Sequence, residues 1–136
     1  MDIVRKIHYF KIEAADRPGE GARVLSIFLE AGVNLLGFTG FPQGRKAQID
    51  FIPEDTAAFQ AAAKRAKLKI GAKKVGFLIQ GDDRIGAIAE LMSRLSASRI
   101  NVTAIDALCT GDGRYGALLW VKPRDVKKAA QVLNAL

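Results

Sequence analysis

Near the start of the chain, His8, Phe10, Ile12 and Ala14 fall at every second position. Alternation of this kind predicts a strand, about residues 3–14, with one face buried. The pattern then changes period. Gly21, Val24, Leu25, Phe28 and Ala31 recur at steps of three and four, which places them on one face of a helix. Further on, the same two signals return in the same order. Phe77 and Ile79 alternate within Val75–Gln80, and Ile88, Leu91, Met92 and Leu95 share a helical face.

The return is a duplication. At an offset of 67, Asp16, Arg17, Gly19, Ala22, Ser26 and Asn34 fall on Asp83, Arg84, Gly86, Ala89, Ser93 and Asn101. Later, Pro53 and Asp55 match Pro123 and Asp125 at an offset of 70. The three extra residues belong in the turn Gly111-Asp112-Gly113. A period this long is a whole small domain copied once, not a solenoid repeat. It predicts domains at 1–71 and 72–136.

Each copy continues alike. The helices end near Gly32 and Arg99, and second strands start at Val33-Asn34-Leu35-Leu36 and Ile100-Asn101-Val102-Thr103. Turns at Gly40–Gly44 and Gly111–Gly113 lead to third strands over Lys46–Ile52 and Tyr115–Val121; an Asp-Gly pair between apolar runs is a hairpin signal. Pro53 and Pro123 open second helices, where a missing N–H costs nothing. Leu68-Lys69-Ile70 supplies a short fourth strand to the first copy, and the second copy ends on its helix. The fold class is therefore α+β: two ferredoxin-like βαββαβ units in tandem, the second lacking its last strand, with antiparallel sheets and helices on one face. In the strand order 4-1-3-2, the lost strand leaves Val75–Gln80 as an apolar edge that another segment or a second chain must cover.

Composition narrows the setting. The 136 residues carry 49% hydrophobic and 26% charged side chains, an ordinary globular balance. The opening residues lack an apolar leader, no run approaches the ~20 apolar residues of a membrane span, and the lone Cys109 allows no intrachain disulfide. A cytoplasmic location is expected. Net charge is +7, with basic clusters at Lys64-Arg65-Lys67-Lys69, Lys73-Lys74 and Lys127-Lys128. Such a surface is solvated, or it draws an anionic partner.

Signals of catalysis are weak. His8 sits within a strand, Cys109 has no identifiable histidine partner, and adjacent Asp82 and Asp83 point apart. No metal cluster and no cofactor motif is read. Gly111-Asp112-Gly113-Arg114-Tyr115-Gly116 spells a dinucleotide fingerprint but runs on into a strand rather than a helix. Arg114–Trp120 has a partial likeness to the RNA-recognition strand motif, but Ala117 stands where its middle aromatic belongs.

The run Asp16-Arg17-Pro18-Gly19, a helix, then Ala31-Gly32-Val33-Asn34-Leu35 resembles the opening of the ACT domain; with the duplication, the likeness spans nearly the whole chain. It departs from the family at Gly21, where a bulky apolar residue is common, and in the second copy at Ile85 for Pro and Arg99 for Gly. The resemblance implies a regulatory module without catalytic activity. It would bind a small molecule, an amino acid in the first instance, at the turn between first strand and first helix. It also implies a homodimer and a separate regulated enzyme. A ligand-free oligomerisation scaffold and, less so, an RNA-binding ferredoxin-like domain are the alternatives; neither a membrane nor nucleic acid is expected as partner.

The site residues so implied are Asp16, Arg17, Pro18, Gly19, Glu20, Gly21 and Asn34, with Asp83, Arg84, Gly86 and Asn101 from the second copy. Physical chemistry agrees with this placing. A helix start offers free N–H groups and a positive dipole end to a carboxylate, and glycine lets a ligand approach the backbone. Arg17 or Arg84 suits a carboxylate, and Asp16, Glu20 or Asp83 an ammonium. The plainer reading makes Asp16 and Asp83 helix caps.

Overall fold

A computed structural model describes residues 2–136. The chain divides into two compact units, His8–Lys74 and a second that joins the residues up to Ile7 to Val75–Leu136. Strand β1 (Ile3–Ala15) contributes to both.

In the first unit β1 is followed by α1 (Glu20–Glu30), β2 (Leu35–Gln43), β3 (Lys46–Pro53) and α2 (Thr56–Arg65). The strands lie in the order β2-β3-β1 and pair antiparallel, with Phe51 of β3 opposite both Phe10 and Phe38. The alternation read from the sequence is what buries Phe10, Ile12 and Ala14. Val24 and Phe28, one turn apart, bring α1 onto the same core. Four phenylalanines fill it: Phe59 stacks on Phe28 at 4.3 Å and on Phe10 at 4.9 Å between ring centres, and Phe51 tilts against both Phe28 and Phe59.

Three local expectations change here. The turn between β2 and β3 is Gly44-Arg45 rather than Gly40–Gly44. Phe41, Pro42 and Gln43 pair with Gln48, Ala47 and Lys46, and Pro42 is tolerated because β2 is an edge. Pro53 is the buried last residue of β3, and α2 is instead opened by Asp55, whose carboxylate accepts from the Ala58 N–H at 3.0 Å. Leu68–Ile70 is not a laddered strand. Leu68 and Ile70 pack on the core as a strand would, but one backbone bond, Gly71 N–H to the Lys11 carbonyl at 2.9 Å, ties the segment to β1.

The second unit holds β4 (Lys74–Asp82), α3 (Ala87–Ala97), β5 (Val102–Cys109), β6 (Arg114–Val121), a 3-10 turn at Pro123–Asp125 and α4 (Val126–Val132). Its strand order is β1-β4-β6-β5. The apolar edge expected at Val75–Gln80 is therefore covered from within the chain, because the start of β1 takes the place of the missing fourth strand. Val4 buries there with Phe77, Ile79, Leu91, Leu95, Leu119 and Leu133, and the Leu136 N–H donates to the Val4 carbonyl at 2.8 Å.

Candidate functional site

Both helix-start turns have one backbone. Gly19 (φ 90°) and Gly86 (φ 82°) occupy the N-cap positions of α1 and α3 in the left-handed conformation, which glycine adopts without strain. The Arg23 N–H donates to the Gly19 carbonyl and the Glu90 N–H to the Gly86 carbonyl, each at 2.9 Å. No side chain caps either helix, so Asp16 and Asp83 are not the caps that the plainer reading made them. The Glu20 and Ala87 N–H groups turn back to the Arg17 and Arg84 carbonyls at 3.4 and 3.3 Å, and the N–H groups of the next two residues of each helix are left for water or a ligand.

The side chains differ. In the first turn Glu20 lies between two arginines, 3.0 Å from Arg23 and 3.6 Å from Arg17. Arg23 above all, helped by Arg17, holds the Glu20 carboxyl below the usual range. Asp16, Arg17 and Pro18 are exposed and Gly21 half-buried. Asn34 stands apart from them: its side-chain amide donates to Glu54 at 2.9 Å, and its carbonyl accepts from the Glu54 N–H.

In the second turn Arg84 reaches back to the start of the chain. It donates both Nη groups to the Asp2 carboxylate at 3.2 Å, and also to Glu90 at 3.0 Å and the Asp82 carbonyl at 3.1 Å. Arg84 holds Asp2 below the ordinary aspartate range, and its own pKa is raised by the same bonds. Tyr115 is buried beside Asp2, and burial pushes its hydroxyl up to about 12. The sequence reading missed this cluster, because nothing in local spacing couples residue 2 to residue 84.

A cleft of about 270 Å3 opens at this second turn. Asp83, Gly86 and the first turn of α3 form one side of it, and Ala107, Leu108 and Cys109 of β5 the other. It gathers Asp83, Arg84 and Gly86 from the expected set; exposed Asn101, just before β5, is not part of its lining. Asp83 pushes the exposed Cys109 thiol up, which keeps it in the unreactive form. His8, half-buried, lies 2.9 Å from the Thr56 hydroxyl through Nδ1, in a structural contact. Among the described residues no cluster of metal-ligating side chains occurs, and no helix is long and apolar enough to cross a membrane.

No protein-family model matches the chain, and no curated protein matches it either. Solved structures do. Protein BT0572 from Bacteroides thetaiotaomicron superposes with a TM-score of 0.81 at 16% identity, over 98% of this chain and 88% of that one. The ligand-free regulatory subunit of aspartate kinase from Thermus thermophilus gives a TM-score of 0.64 at 14% identity, over 98% and 94%. Aspartokinase III of E. coli, in complex with aspartate and ADP, gives 0.57 at 15% identity, over 98% of this chain and 32% of that one. At these identities the likeness is one of fold.

Proposed function

We propose that this chain, whose two units have the ACT-type fold, is a non-catalytic sensor that takes up an amino acid at its helix-start turns. The observation that carries this reading is the cleft at Gly86, set against an uncapped helix start that the chain builds twice. The N–H groups of Ile88 and Ala89, at the positive end of α3, suit a carboxylate. Asp83, exposed at the cleft rim, suits an ammonium, and Ala107 and Leu108 offer apolar surface to a side chain. Arg84, already held by two carboxylates, shapes the turn rather than meeting the ligand. In the first copy Arg17, Gly19 and Glu20 line the corresponding site. A separate enzyme is the regulated partner in this reading, and the chain works as a homodimer in the cytoplasm.

The stacking surface of an RNA-binding domain finds no support, since Trp120 and Tyr115 are each 5% exposed. The competing reading is a scaffold without ligand. A thermal-shift screen of the amino acids separates the two: a ligand at about 100 times its dissociation constant stabilises by roughly 2.7 kcal/mol. Gly86→Val is expected to abolish the shift at the cleft, and Gly19→Val to abolish one at the first turn. A shift that survives both places the ligand elsewhere, and no shift with any amino acid leaves the scaffold. For the dimer, sedimentation at tens of micromolar is decisive: a clean species at the chain mass of 14.7 kDa overturns it.

A further inference from the structure

We infer that the first unit carries an anion site, apart from its helix-start turn, that takes the phosphate groups of a small phosphorylated ligand. A cleft of about 440 Å3 is lined by Lys11, Glu13, Lys46, Lys69, Ile70 and Gly71. Lys11 and Glu13 alternate along β1 with buried Phe10, Ile12 and Ala14, so they lie on the sheet face away from the core. Lys46, opposite Ala15 in the β1–β3 register, joins them there.

The irregular segment after α2 supplies the third ammonium. Leu68 and Ile70 are held by the core, and the Gly71 N–H bonds the Lys11 carbonyl. A Cβ at Gly71 would lie 3.2 Å from that carbonyl, so glycine permits the close approach. The alternation Leu68-Lys69-Ile70 then turns Lys69 outward toward the cleft.

The cleft is net positive, with Lys11, Lys46 and Lys69 set against Glu13. Glu13 and Lys46 are 3.7 Å apart with side chains 54% and 66% exposed, an ion pair that water and salt weaken. Lys64, Arg65, Lys67, Lys69, Lys73 and Lys74 flank the cleft in sequence with no acidic residue among them. None makes an ion pair among the described residues. Several point-like ammonium groups around one concavity suit a multiply charged phosphate. The volume is that of a small-molecule site, and no aromatic side chain lines it to stack a base, which favours a small ligand over a nucleic-acid strand.

Titration of the full chain with tripolyphosphate, followed by calorimetry and amide chemical shifts, tests the site. Saturable binding should persist at about 0.15 M salt, with shifts centred on Lys11, Lys46 and residues 69–71. Lys11→Gln combined with Lys69→Gln should weaken it about tenfold or more, and Lys127→Gln with Lys128→Gln should leave it unchanged. Lys46→Gln alone should weaken it severalfold and serves if the double variant fails to fold. Equal losses in the two double variants, or no binding at 0.15 M salt, overturn the site. A single-stranded oligonucleotide that binds more tightly and is not displaced by tripolyphosphate overturns the small-ligand assignment in favour of nucleic acid.

Discussion

The two helix-start turns share a backbone and differ in what holds them. Around Gly19 the charged side chains close on themselves: Arg17, Glu20 and Arg23 are neighbours within two turns of chain. Around Gly86 the arginine is taken by Asp2, 82 residues away in sequence. Position 23 is arginine and its counterpart 90 is glutamate, so the first turn surrounds its acid with bases and the second its base with acids. Duplication has kept the φ angles and hydrogen bonds that enter the helix and let the electrostatics diverge. The second arrangement exists because the start of β1 fills the place of a fourth strand and brings Asp2 within reach.

The cores diverge too, and there the largest effect is expected. Phe59 of α2 corresponds at the offset of 70 to Ala129 of α4, and both are 0% exposed. Phe59→Ala would copy the second core into the first. It removes the ring that stacks on Phe10 and Phe28, and the cavity left behind should cost about 3–5 kcal/mol in urea unfolding. A cost below about 1 kcal/mol would mean that the two cores are interchangeable and the comparison is empty.

Gly81 gives the reverse case. Its counterpart at the offset of 67 is Ala14, which packs in the first core. A Cβ at Gly81 would collide with the Asp2 carboxylate and lie 2.9 Å from Cε1 of Tyr115. Gly81→Ala, harmless by analogy with the first copy, should therefore cost about 1–3 kcal/mol. Adding Asp2→Ala should recover part of that loss in the double variant. Full additivity of the two losses would show that Asp2 is not what Gly81 makes room for.

Gly19→Ala and Gly86→Ala sharpen the shared half of the comparison. A Cβ at either glycine would meet no atom within 4 Å, and both have positive φ. Each substitution should cost about 1 kcal/mol from backbone strain alone, and the two costs should agree. A markedly larger cost at Gly86, measured by thermal unfolding, would mean that the Asp2–Arg84 contacts add rigidity there.

How much of this was legible beforehand follows from the range of each interaction. The repeat, the helix faces and the buried strand residues were readable because each depends on neighbours two to four positions away: Phe10, Ile12, Val24 and Phe28 all lie where their periods put them. Both glycine turns were legible for the same reason. What was not legible was long-range or depended on competition. Leu68–Ile70 has a strand pattern, but a single backbone bond, from the Gly71 N–H that follows it, ties it to β1; Gly40–Gln43 has turn residues, but the β3 ladder recruits them. The cover for β4 came from residues at the opposite end of the chain, and the pairing of Asp2 with Arg84 depends on that topology. The cleft at Gly86 needs β5 beside the helix start, which no residue spacing states.

The smallest effect expected is the one most specific to the second turn. Arg84 depresses the Asp2 pKa below the ordinary value of 3.8. A carboxylate whose folded pKa is lowered contributes stability above its unfolded value and loses it as pH falls through the folded one. The contribution of the Asp2–Arg84 contact should thus be complete at pH 7, decline below about pH 4, and vanish once Asp2 is protonated in the folded chain. Asp2→Asn removes the charge and keeps the shape, so the gap in urea midpoint between the parent and this variant should be widest at neutral pH and close in acid. Because Arg84 is partly exposed, added salt should narrow the gap at pH 7 as well. A gap that stays constant from pH 7 down to about pH 2.5 would show that Asp2 holds the turn through packing, and the electrostatic distinction between the two helix starts would then fail at its most direct contact.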